Sequence, residues 1–100
     1  MDKDEAIEKA LEVIEVEVGP GLVHPTLGQI VIQIDNVDEH ELGWIVPFNS
    51  TAYLDTGNPE FAFLPGVLVV PHDGDAPYAP PSYLPTREYL DSIVKGVDHP

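Results

Sequence analysis

One hundred residues, 43% of them hydrophobic, suffice for one domain, residues 1–100, with its own core, and the absence of cysteine excludes a disulfide framework and thiolate chemistry. Four Lys and Arg stand against 18 Asp and Glu, a formal net charge of -14, and no Lys or Arg falls between Lys9 and Arg87. Internal ion pairs can neutralise few of those carboxylates, which disfavours nucleic acid and anionic membranes as partners and favours a basic protein, unless the acidity serves solubility alone.

Residues 2 to 18 read as a helix. Ile7, Ala10, Leu11, Ile14 and Val18 recur at steps of three and four, and Asp2 with Glu5 has capping-box spacing. Glu5, Glu8, Glu12 and Glu15 form the wet face, although the Glu-Val-Glu-Val alternation at 15–18 also fits the start of a strand. Gly19-Pro20-Gly21 stops the element, and residues 22–27 read as a loop or short extended piece. From Gln29 the alternation of Ile30, Ile32 and Ile34 with polar neighbours predicts a half-buried strand, bending at Asp35-Asn36. Residues 38–41 are either its end or a turn.

A second strand carries Trp44, Val46 and Phe48 on one face, with Trp44 expected in the core. Pro47 has no N–H to donate, so the strand is expected at a sheet edge or with that position unpaired. Asn49-Ser50 can cap a one-turn helix that Gly57 and Pro59 stop, and Phe61, Phe63 and Leu64 are expected to cover core. Residues 66–70 read as a buried strand leading to an Asp73-Gly74 turn. Pro77, Pro80, Pro81 and Pro85 confine the return segment to an irregular edge, leaving Tyr78 and Tyr83 exposed. Thr86 can cap a last helix with an apolar stripe of Tyr89, Leu90, Ile93 and Val94. The order of elements predicts an α+β fold: an N-terminal helix, an antiparallel sheet of three to four strands and a short C-terminal helix, with the helices on one face.

Leu54-Asp55-Thr56-Gly57 matches the triplet of aspartic proteases, which a homodimer would complete with a second carboxylate sharing the proton. Its context disagrees: Asn58-Pro59-Glu60 follows, flap glycines are missing, and Asp, Thr and Gly are ordinary turn residues. His24, His40, His72 and His99 have no recognised ligand spacing, and Asp73 with Asp75 lacks the rest of a calcium loop. Ser50, Ser82 and Ser92 sit in no nucleophile motif. The reading is therefore of a protein without catalytic, metal or cofactor residues.

Gly43-Trp44-x-x-x-Phe48, Tyr53-Leu54-x-Thr56-Gly57, the apolar run Val67 to Val70, the Asp73-Gly74 turn and Tyr89-Leu90, in that order and spacing, resemble the immunity protein 35 (YrhB-like) family from about residue 4 to residue 94. The resemblance implies that Asp55 lies in a scaffold turn. It implies a small bacterial protein of the cytoplasm that neutralises a cognate toxin of a polymorphic toxin system, as a monomer or in a heterodimer with the toxin; some relatives are described as chaperone-like. The Pro-rich stretch at 76–85 departs from the family's regular last strand. The expected partner contacts are Asp35, Asp38, Glu39 and Glu41 around the first hairpin, and Asp73, Asp75 and Tyr78 around the second.

Overall fold

A computed structural model describes residues 1–96; His99 and the end of the expected domain lie outside the described residues. Helix α1 spans Lys3–Val18, and the Asp2 carboxylate accepts from the Glu5 N–H at 2.9 Å, so the cap foreseen from the Asp2/Glu5 spacing forms. The helix continues through the Glu-Val-Glu-Val segment because Val18 is buried with Ala6, Ala10 and Ile14, while Val16 is left exposed. Ile7 and Leu11 flank this buried stripe and are only half-buried. The small Ala6 and Ala10 let the helix approach the sheet closely.

Five strands follow: β1 Val23–His24, β2 Gly28–Ile32, β3 Asp38–His40, β4 Gly43–Ser50 and β5 Val67–Pro71. All pairings are antiparallel, in the order β1-β2-β4-β3, with β5 on the other edge of β4. The Pro47 strand is therefore the centre of the sheet and not an edge. It escapes the donor penalty by position. Along one side β4 pairs first with β3, through Ile45, and then with β2, from Phe48 onward. Pro47 faces the junction of those partners, where its carbonyl accepts from the Gln33 N–H at 2.9 Å and no donor is required of it.

Gly43 at the start of β4 is fixed by close approach: a Cβ there would sit 2.5 Å from the Val70 carbonyl oxygen. At the far end Ser50 caps helix α2, Thr51–Thr56, by accepting from the Tyr53 N–H at 3.0 Å. Gly57 closes α2 in the left-handed conformation that favours glycine. A short 3-10 turn at Ile34–Asn36 ends β2, so Ile34 leaves the alternation and is 54% exposed.

Helix α1 packs on the face of the sheet that presents Val46, Phe48, Leu68 and Val70, and Ile30 completes this core. Helix α3, Thr86–Val94, lies on the other face. The β3–β4 register puts His40 opposite Gly43, on the side of Ile45, and from there His40 reaches Asp91 of α3. Val69 and Leu90 are buried apart from the α1 cluster. The α+β order and antiparallel sheet match expectation; the expected placing of α1 and α3 on one face does not hold, because His40 and Asp38, on the side of Ile45, tie α3 to the face opposite α1. The α3 stripe is narrower than its spacing implies, with Ile93 and Val94 exposed, and α3 starts after Pro85 without a side-chain cap from Thr86.

Candidate partner-binding surface

The sheet brings its two acidic hairpin ends together. The β3–β4 turn carries Glu41, and the His72 N–H after β5 donates to the Leu42 carbonyl at 3.1 Å, so Glu41 and Asp73 flank one backbone bond. Asp73 shapes its own turn by accepting from the Asp75 N–H at 3.0 Å. Glu39, Glu41, Asp73 and Asp75 are all exposed around this end. Two segments more than thirty residues apart in sequence thus form one acidic rim.

Part of the expected contact set is already engaged. Arg87 on α3 donates through Nε and Nη2 to the Asp38 carboxylate, and Nη2 also donates to the Glu39 carbonyl. This guanidinium holds the Asp38 carboxyl below its ordinary range. The Glu39 carboxylate lies 3.4 Å from Nε2 of His72, the nitrogen that also meets the His40 carbonyl at 2.9 Å. Glu41, Asp73 and Asp75 are left to supply the outward field of this end.

Asp35 and Tyr78 sit elsewhere. Asp35 is exposed in the 3-10 turn at the β2 side of the junction, off the hairpin end. Tyr78 exchanges both backbone bonds with Val69 as a lone bridge, so its side chain lies on the α3 face, where burial and then Tyr89 push its hydroxyl pKa up. The seven residues therefore occupy three places. Tyr83 is 61% exposed and meets the Tyr89 ring edge-on.

Trp44 is half-buried: its indole N–H donates to the Met1 carbonyl at 3.2 Å, and its ring meets His72 edge-on. It covers the core where Val46 fills it. Asp55 is exposed in the last turn of α2, where the Thr56 hydroxyl donates to the Ala52 carbonyl and Gly57 ends the helix. The triplet residues beside Asp55 are thus used in finishing a helix. Among the described residues no three His, Asp or Glu side chains converge as a metal site, and no helix is long and apolar enough to cross a membrane.

Two features escaped the sequence. Asn49, 7% exposed, accepts from the Phe63 and Ser50 N–H groups and donates to the Phe63 carbonyl, pinning the 61–66 loop to β4. That loop therefore projects Leu64, 80% exposed, where core cover was expected, while Phe63 packs on the core. The second is the wet face of α1: Glu5, Glu8 and Glu12 look across an open cleft at residues 74–77, which joins them to Asp75. The spacing of these acids was visible in the sequence, but their neighbour across the cleft was not.

No curated protein and no solved structure matches the chain significantly. The sequence model described as immunity protein 35 matches residues 4–92, most of the chain, from the second residue of α1 to within α3. The chain belongs to the immunity protein 35 family.

Proposed function

We propose that this chain neutralises a cognate basic toxin domain of a bacterial polymorphic toxin system by binding it, as a monomer that forms a heterodimer in the cytoplasm. The observation that carries the reading is the acidic hairpin end, where Glu41, Asp73 and Asp75 lie together with no Lys or Arg between residues 9 and 87 in sequence. A field of one sign at the end of a rigid sheet speeds encounter with a basic partner and rejects acidic ones. Glu39 adds to it, Asp38 is tempered by Arg87, and Asp35 extends the contact zone to the sheet edge, whereas Tyr78, on the α3 face, stands apart from it. Inhibition is by occupancy, with no cofactor or metal, and neither nucleic acid nor membrane is a partner.

The test uses the toxin domain encoded beside this chain's gene. Co-expression protects the host, and the purified proteins form a 1:1 complex whose association slows at least about tenfold between about 0.05 and 0.5 M salt. Replacing Glu41, Asp73 and Asp75 by their amides slows association about tenfold at low salt. Absence of a complex or of protection sinks the proposal. Salt-insensitive protection of unrelated clients is the chaperone-like outcome, and a peptidase activity that is lost in a stably folded Asp55→Asn variant is the protease outcome.

A further inference from the structure

We infer that the toxin is gripped in a groove along α1, by a segment that places a large apolar side chain beside a run of Lys or Arg. The groove has two unlike halves that share Val13. Toward the start of α1 it is an open cleft of about 340 Å³ between Glu5, Glu8 and Glu12 on one wall and Gly74 to Pro77, including Asp75, on the other, with Lys9 its one cation. Toward the end of α1 it becomes an apolar pocket of about 80 Å³, where Val13, Phe63, Leu64, Leu68 and Ala79 surround space for the tip of an aliphatic side chain. Glu17 stands at that rim. The far wall is continuous, since residues 74–77 and Ala79 belong to one irregular strand of chain.

Two independent features identify the occupant. Leu64, at 80%, is among the most exposed large hydrophobic residues described, and it stands in the wall of the apolar half. An exposed aliphatic group beside a small pocket is the form of an interface anchor site. The acidic half fixes the charge of whatever lies beside that anchor. A second copy of this chain is a poor occupant, because its acidic surface would meet the acidic cleft. The groove, from Glu5 to Glu17, runs about 18 Å along the helix, a span that some six extended residues or a three-turn helix would match.

This inference rests on the toxin-binding reading, and its test separates the two. Leu64→Glu, Glu8→Lys with Glu12→Lys, and Glu88→Lys on the opposite face as a charge control are titrated with the adjacent toxin domain, after thermal melts show that each is folded. Leu64→Glu raises Kd at least about tenfold through faster dissociation. The Glu8/Glu12 pair slows association about tenfold at low salt, with the difference fading at high salt, and Glu88→Lys binds like wild type. In the wild-type protein, the Leu64 and Val13 methyl resonances shift on adding the toxin. If wild type binds no toxin, both proposals fall. If it binds and all variants match wild type, or those methyls stay unmoved, the groove alone is overturned. A dimer of this chain that Leu64→Glu disperses would overturn it in favour of self-association.

Discussion

The two faces of the sheet are held by different physics. Under α1, four helix residues and five strand residues form one apolar cluster, each at most 6% exposed. Under α3, Val69 and Leu90 are the buried apolar groups, and the helix is tied down by His40 to Asp91 and by Arg87 to Asp38. Apolar contact is non-directional and indifferent to pH, whereas the polar ties are directional and titratable. A short helix with one buried side chain gains little from area, so its position depends on where its partners stand. The binding groove lies along the first face, where the frame is stiff.

The sharpest break of this contrast is in the α1 core. Phe48 is 3% exposed and its ring packs on Phe63 with centroids 5.6 Å apart. Phe48→Ala is expected to cost about 3–5 kcal/mol, a large share of the stability of a domain this size, read as a fall in the urea midpoint. A cost below about 1 kcal/mol would show that the α1 face is not the main source of stability.

A smaller effect is expected at the root of α3. The imidazole of His40 accepts from the Leu42 N–H at Nδ1, so Nε2 carries the proton and donates to Asp91 at 2.7 Å. His40→Ala leaves the Leu42 N–H without that acceptor in a closed site and leaves Arg87 as the remaining polar tie between α3 and β3. The expected cost is about 1–3 kcal/mol, with amide exchange rising in α3 more than in α1. Equal acceleration in both helices would show that the faces do not differ in how they are held.

The legible parts of this fold were those whose cause is local. The Asp2 cap, the step of three and four along α1, the alternation through Trp44, Val46 and Phe48, and the Ser50 and Gly57 boundaries of α2 each depend on residues within a few positions. The acidic rim was legible as two hairpins, and their meeting was not, because it depends on Gly43 facing Pro71 across β4 and β5. Pro47 left the strand's place open between a sheet edge and an unpaired N–H side, and the second holds, because the switch from β3 to β2 beside it makes a central position tolerable. Trp44 looked like core by face and proved to be a cover, since its ring extends past Val46 to His72 and Met1. The α1 groove needs residues 74–79 laid against the helix, a pairing that no spacing along the chain announces.

The finest distinction between the faces is in acid. The hydrogen bond from His40 holds the Asp91 carboxyl below its ordinary value of 3.8, as Arg87 does for Asp38. A carboxyl depressed in the folded state binds its proton more readily when unfolded, so its contribution is present above pH 3.8 and is lost as pH falls through the lower folded value. Both groups are half-exposed, which makes the effect modest and sensitive to salt. Asp91→Asn removes this titration while keeping a polar side chain against His40. Wild type should therefore melt above the variant at pH 7, with the gap narrowing only below about pH 4. Phe48→Leu, a change confined to the α1 face, should show a gap that this titration leaves unaltered. An Asp91→Asn gap that stays constant from pH 7 to about pH 3 would mean that the carboxylate is not a tie in solution. The polar hold on the α3 face would then rest on Arg87 and Asp38, and beyond that pair the two faces would differ only in how much apolar surface each one buries.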